Sequence, residues 1–143
     1  MSKARKLAEL GNVYDDGALS HRNLIINGAM QVAQRGTSVT GVTSTQYSTV
    51  DRFKFVGNIG TRTNTQETDA PNGFSKSLKV EITTKEDPPA SGDYLTIEHL
   101  MEGQNLQMLK KGTADALPVT VSFWVKSNVT GTYILEFDDN DNA

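Results

Sequence analysis

The sequence contains no cysteine, which excludes disulfide bonds and thiol chemistry. This absence also removes the strongest class of zinc ligand, because only His21 and His99 are then left as soft ligands. No apolar run approaches the roughly 18 residues that a membrane-spanning helix needs. The stretch after the basic N-terminus is too short and too charged for a signal-peptide core. We therefore expect no membrane insertion, and a bacterial cytosolic origin is compatible with the composition.

Apolar residues and clustered cations are also scarce. Hydrophobic residues make up 36% of the chain, below the roughly 45–50% apolar share of typical globular proteins, a class that also counts glycine. Fourteen Lys and Arg against seventeen Asp and Glu give a net charge of -3. Nucleic-acid binding requires clustered cations that release phosphate counterions, so we expect no nucleic-acid partner. The length of 143 residues allows one domain of ordinary size.

The N-terminal segment differs from the rest of the chain. Residues 2–10 are good helix formers with Ser2 as N-cap, and Gly11 predicts the end of that helix. A helix of about nine residues is marginal alone and needs a partner surface. We interpret residues 1–21 as an attachment arm, helical or extended, that becomes ordered against another protein. The apolar candidates for that contact are Leu7, Leu10, Val13 and Tyr14.

Residues 22–143 have a hydrophobic period of two, which is the pattern of half-buried strands. The predicted strands are 23–34 (broken at Asn27-Gly28), 47–56, 61–67, 77–84, 94–100, 119–125 and 133–137. A second helix is predicted only within residues 104–110. Strands at regular spacing without a solenoid or propeller repeat predict a mainly β fold, an antiparallel β-sandwich.

The alternation is clearest in two of these strands. Residues 77–84 place Leu78, Val80 and Ile82 on one face, and residues 119–125 place only Val and Phe on one face. We expect 119–125 to be a central strand. Six or seven strands are fewer than the roughly eight of a jelly roll. A partner or a continuation of the chain must then cover the open edges, and we expect the front part of a longer domain.

No sequence motif of a serine hydrolase, a zinc protease or a nucleotide-binding loop is present. Glu98 and His99 would point to opposite faces of a strand and would not act together. Among seventeen acidic residues, carboxylate pairs arise by chance and indicate nothing. We therefore predict that the protein is not an enzyme and needs no cofactor.

Two weaker patterns concern ligands. Asp138, Asn140 and Asn142 have the alternate spacing that opens an EF-hand loop, but Ala143 stands at the glycine position. They are a weak calcium candidate, and a polar turn is the alternative. The single tryptophan, Trp124, could stack on a sugar together with Tyr133, or could be buried between the sheets.

Three stretches resemble one family of proteins. The block Asn23–Ser38, followed by Asp51-Arg52-Phe53, resembles the opening of bacteriophage tail-fibre and related receptor-binding proteins. Such proteins are frequent in phages of marine bacteria and cyanobacteria. Residues 121–127 with 131–133 resemble a later strand pair of the same family, and residues 6–20 resemble its N-terminal arm.

The resemblance implies a galactose-binding-like jelly roll on an elongated, trimeric virion appendage. Its arm would attach to other tail proteins, either an adaptor or the tail tube and nozzle. We accordingly expect a structural component of a phage tail that supports host recognition, made in the host bacterial cytoplasm and located in the virion. The alternative is a lectin-like carbohydrate-binding module that recognises host surface polysaccharide directly.

Overall fold

The computed structural model describes residues 2–15 and 23–139, and these form a mainly β protein. The elements in chain order are helix α1 Lys3–Asp15, strands β1 Ser38–Val42, β2 Gln46–Tyr47, β3 Phe53–Gly57, β4 Thr61–Glu67, β5 Ser77–Thr84 and β6 Leu95–His99, helix α2 Gly103–Leu106 and the 3-10 helix Gln107–Leu109. The predicted fold class is confirmed. No helix of the described residues is long and apolar enough to cross a membrane.

The six strands form two antiparallel sheets of three strands each. The first sheet has the order β1-β4-β5, and the second has the order β2-β3-β6. Within the first, Asn64 lies opposite Val80; within the second, Phe55 lies opposite Ile97. This arrangement is consistent with a β-sandwich, whereas the jelly-roll topology stays a prediction.

The buried interior is part apolar and part polar. Its apolar members are Val42, Val50, Phe53 and Phe55. Phe53 and Phe55 are both buried because alternate residues of a strand share a face. The buried polar members are Ser48, Thr49, Arg62 and Asn64. A small aromatic and aliphatic core is therefore continued by a cluster of polar side chains from β4 and from residues 48–49.

The sequence pattern predicted β4, β5 and β6 closely, but it did not predict β1. Predicted strands 61–67 and 77–84 coincide with β4 and β5, and 94–100 contains β6. Predicted strand 47–56 is divided between β2 and β3 by a turn in which Arg52 has φ 75°. Helix α1 continues through Gly11 to Asp15, so the predicted stop was wrong. A helix tolerates an interior glycine at a cost of about 1 kcal/mol.

Three predicted strands are absent from the described structure. Residues 23–34 form turns, and neither 119–125 nor 133–137 is a strand. Phe123 and Trp124 are 62% and 76% exposed, so the predictions of a central strand and of a tryptophan between the sheets are wrong for this conformation. Alternation specifies the faces of a strand, but a strand forms only when a second one pairs with it.

Candidate functional site

Hydrogen bonds join the Asn23–Ser38 block to the segment that leads into β3. Asn27, with φ 61°, donates from Nδ2 to the carbonyls of Val32 and Asp51, both at 2.9 Å. The Val32 amide donates back to Asn27 Oδ1 at 3.0 Å, and the Asp51 amide donates to the Val32 carbonyl at 2.9 Å. One asparagine therefore holds the turn of the Asn23–Ser38 block against the segment that leads into β3. These bonds replace the strand predicted at 23–34.

The Asp51 carboxylate fixes one arginine at the surface. It accepts hydrogen bonds from the backbone N–H of Gln34 and from Arg35 Nη1, each at 3.3 Å, and the Asp51 side chain is only 15% exposed. The Arg35 guanidinium lies over the ring of Tyr47, 5.5 Å from its centroid. This cation–π contact and the ion pair together restrict the orientation of Arg35.

A second arginine lines the same surface region and is held by residues that follow β6. Arg52 Nη1 lies 3.4 Å from Glu102 Oε1, and Nη2 donates to the Leu100 carbonyl at 3.2 Å. Gln104 Nε2 donates to the other Glu102 oxygen at 3.3 Å. The Arg52 guanidinium and the Glu102 carboxylate are thus each held by a hydrogen bond besides the ion pair between them.

The two arginine–carboxylate pairs border an open groove of about 450 Å³. Its lining residues are Gln34, Arg35, Tyr47, Asp51, Arg52, Leu100, Met101 and Glu102. Two cations and two anions leave the groove formally neutral. Planar charged groups present donors and acceptors in pairs, and an aromatic ring offers an apolar surface. This set of groups suits a neutral polyhydroxyl ligand better than a charged one.

His99, at the end of β6, connects the same block to the second sheet. Its Nε2 lies 3.1 Å from both the amide nitrogen and the carbonyl oxygen of Ile26. Its ring packs edge-on against Phe53 with the centroids 5.2 Å apart. Burial is the main cause that lowers the pKa of His99, the positive charge of Arg52 adds to it, and the Ile26 contact opposes it. Glu98 instead pairs with Lys54 at 3.7 Å.

The inward face of β4 joins the first sheet to three loops. Arg62 Nη2 donates to the Ser44 carbonyl at 2.9 Å, and Asn64 Nδ2 donates to Ser48 Oγ at 2.9 Å. Gln66 Nε2 donates to the carbonyls of Met30 and Gln31. The polar face of β4 in the first sheet therefore also holds the Asn23–Ser38 block, which His99 connects to the second sheet.

The interior cluster is incompletely paired. Nε and Nη1 of Arg62, Oδ1 of Asn64 and Oγ1 of Thr49 are buried and have no hydrogen-bond partner among the described residues. Burial lowers the pKa of Arg62 from its usual value. Buried donors without partners are costly, and the one hydrogen bond of Arg62 positions the loop at Ser44.

The side chains predicted as attachment or glycan contacts either do not line the groove or lie outside the described residues. Leu7 is 71% exposed on α1, whereas the side chains of Leu10, Val13 and Tyr14 fall outside what is described. Trp124 and Tyr133 are exposed, and the Tyr133 hydroxyl donates to the Val129 carbonyl at 2.9 Å.

Most of the calcium candidate also lies outside the described residues. Asp138 is exposed, and Asn140 and Asn142 lie outside the described residues. Within residues 2–15 and 23–139, no group of three His, Asp or Glu side chains could hold a metal ion.

Sequence reasoning did not single out the groove. The signal that could have found it is the position of Gln34, Arg35, Asp51 and Arg52 within residues 23–38 and 51–53, the stretches on which the expected resemblance rests. Comparisons of the chain with protein-family models, with curated proteins and with solved structures find no match.

Proposed function

We propose that this protein is a structural component of a phage tail, the attachment portion of a tail fibre. In this proposal it docks to other tail proteins through its N-terminal arm, assembles as a homotrimer, supports host recognition and catalyses no reaction. The resemblance of the Asn23–Ser38 block supports it. The block and segment 51–53 form one hydrogen-bonded unit, as expected if the matching residues serve a shared framework.

The observation that carries the proposal is the exposed apolar surface of α1, on which the Leu7 side chain is 71% exposed. Its hydrogen bonds are local: the Arg5 amide donates to Ser2 Oγ at 3.3 Å, and Arg5 pairs with Glu9 at 3.3 Å. Among the described side chains of residues 2–9, no hydrogen bond or ion pair reaches the two sheets. A helix of 13 residues is marginal in water by itself. A protein surface that covers Leu7 would stabilise it, which is the role of an attachment arm.

Deletion of residues 1–20 tests the arm. The truncated chain should keep its β circular-dichroism spectrum but be lost from purified phage particles, measured by quantitative mass spectrometry. Leu7→Gln should also reduce incorporation, whereas Lys6→Gln, an exposed neighbour with similar helix propensity, should not. Normal occupancy of the truncated chain would contradict the proposal.

Oligomerisation is tested by the mass in solution. Apolar side chains remain exposed in the described structure, with Ile134 at 86% and Phe137 at 64%. Such surface favours association, and a net charge of -3 opposes it only weakly. We expect light scattering at micromolar concentration to report trimers or larger species. A stable monomer that unfolds cooperatively would contradict trimer formation.

The groove favours a second candidate function, direct binding of host carbohydrate. Tyr47 is 39% exposed and lies beside the Asp51 carboxylate and the guanidinium of Arg35. Sugars present an apolar ring face and vicinal hydroxyls, which match an aromatic ring and planar charged groups.

Substitution of tyrosines distinguishes this candidate. Tyr47→Ala should weaken binding of host surface polysaccharide at least about tenfold in isothermal titration, a loss of about 1.4 kcal/mol. Tyr94→Ala is the matched control, because Tyr94 is 50% exposed and does not line the groove. If Trp124→Ala abolishes binding and Tyr47→Ala does not, the sugar site is at Trp124 and the groove is not involved.

A further inference from the structure

Residues 119–125 have strand-like alternation but no pairing. Their alternate Val and Phe side chains are 38–69% exposed. No backbone–backbone hydrogen bond joins residues 118–139 to any other described residue. Apolar side chains in water and an unpaired backbone are both unfavourable, so the segment needs an edge with which to pair.

Strand β5 offers an open edge of matching length. It pairs with β4 on one side only, since it is the last strand of the order β1-β4-β5. Val80 lies opposite Asn64 and Ile82 opposite Arg62, and both β4 residues are buried. Leu78, Val80 and Ile82 therefore belong to the inward face of the sheet. Ile82 is nonetheless 47% exposed, which shows that this face is uncovered at the edge.

An ion pair places the segment beside the beginning of β5. Lys126 Nζ lies 2.6 Å from Asp69 Oδ2. The carbonyl of Asp69 accepts a hydrogen bond from Ser77 Oγ at 2.6 Å, and Ser77 is the first residue of β5. The residue that follows segment 119–125 is thus held near the residue that opens the edge strand. Both partners of the ion pair belong to the same chain.

We propose that residues 119–126 of this chain dock along the open edge of β5 as an antiparallel strand, in the register that places Lys126 opposite Ser77. The first sheet then has four strands, and the β5 edge serves as an intramolecular docking surface. This proposal goes beyond the function proposed above and does not depend on it.

The ion pair selects the register, and the alternation of apolar side chains agrees with it. Pairing Lys126 with Ser77 places Val125 opposite Leu78, Phe123 opposite Val80 and Val121 opposite Ile82. Residues directly opposite each other in an antiparallel pair share a face, so both apolar rows fall on the inward side. A slip of one residue would instead bring Ser122 and Trp124 inward.

Engineered disulfides test the register, since the chain contains no native cysteine. The double variant Ser122→Cys/Glu81→Cys places two cysteines directly opposite each other, within the Cα separation of about 4.5–5.5 Å that suits a disulfide. We expect mild oxidation to give an intramolecular bond, seen as a faster monomer band on a non-reducing gel. The matched control is Ser122→Cys/Thr83→Cys, which is displaced by two residues and should oxidise at least about tenfold more slowly.

The outcomes of the oxidation experiment distinguish docking within one chain from pairing between two copies of the chain. A disulfide-linked dimer from Ser122→Cys/Glu81→Cys would show pairing between copies and overturn docking within the chain. Faster oxidation of the Thr83→Cys control would overturn the register. Absence of a bond in both variants would overturn the proposal itself.

Amide hydrogen exchange gives a second measurement in the full chain without cysteines. Residues 120–125 should exchange at least about tenfold more slowly than an unstructured peptide. Phe123→Asp, on the inward face, should abolish this protection, whereas Thr120→Asp, on the outward face opposite the uncharged Thr83, should preserve it. Protection of β3 and β4 reports that each variant is folded. Unprotected amides in the unmodified chain, with β3 and β4 protected, would overturn the proposal.

Discussion

Arg62 provides a test of how the interior of this protein is stabilised. Among the described residues it is the largest fully buried side chain, and of its nitrogens only Nη2 has a hydrogen-bond partner there, the Ser44 carbonyl at 2.9 Å. Replacement by Met removes the charge and the unpaired donors and keeps most of the volume. Buried charged groups replaced by apolar ones of similar volume often leave stability unchanged or increased.

The magnitude follows from the contacts of this side chain. Each buried donor without a partner costs about 1–3 kcal/mol, and Arg62 has such donors at Nε and Nη1. The substitution loses a charge-assisted bond of about 1.5–3 kcal/mol. Residue Ser44 is exposed, so its carbonyl can bind water instead. These values give a net effect between about −1 and 4.5 kcal/mol, and since such replacements are neutral or stabilising in other proteins, we expect Arg62→Met to stabilise the protein by about 0–3 kcal/mol.

The assay is urea unfolding followed by far-ultraviolet circular dichroism. Arg62→Ala is the control for volume and should destabilise by about 2–5 kcal/mol, because it leaves a cavity. Arg62→Lys retains a buried charge and should be less stable than Arg62→Met. If Arg62→Met lowers the free energy of unfolding by more than about 1 kcal/mol at an unchanged slope, the guanidinium makes favourable interactions and the reasoning is refuted.

Three further predictions concern the core, the block and pH. Phe55→Ala should lower the free energy of unfolding by about 3–5 kcal/mol because Phe55 is fully buried. Phe74→Ala, at a side chain 45% exposed, should lower it by less than about 1 kcal/mol. Similar losses for the two variants in urea unfolding would show that the core is misplaced. Asn27→Ala removes three hydrogen bonds and should cost about 2–4 kcal/mol; Asn27→Gly should cost less, since glycine accepts φ 61° without strain, and equal losses would show that the backbone conformation contributes nothing. Folding lowers the pKa of His99, so the unfolded state binds more protons once the pH falls below about 6.5. The free energy of unfolding should therefore decrease from pH 7 toward pH 5. His99→Gln should reduce this decrease, and an unchanged pH profile in the variant would contradict the assignment.

The candidate site depends on contacts that sequence patterns do not contain. Arg35 and Asp51 are 16 residues apart, and Arg52 and Glu102 are 50 apart. Each is an ordinary surface charge when considered alone. The groove exists because Asn27 folds its block onto Asp51 and because β6 pairs with β3. Neither contact can be inferred from the residues next to these side chains.

Sequence alone determined what depends on neighbouring residues: the fold class, the N-terminal helix, and strands β4 and β5 with their alternating faces. Tertiary structure decided which faces became the interior. On β4 the buried face carries Arg62 and Asn64, the polar residues that a hydropathy pattern would assign to solvent. It also decided that 119–125, with equally clear alternation, is unpaired in this conformation. Hydrophobic period is a local property of the chain, whereas burial and strand pairing depend on which distant segment arrives beside it.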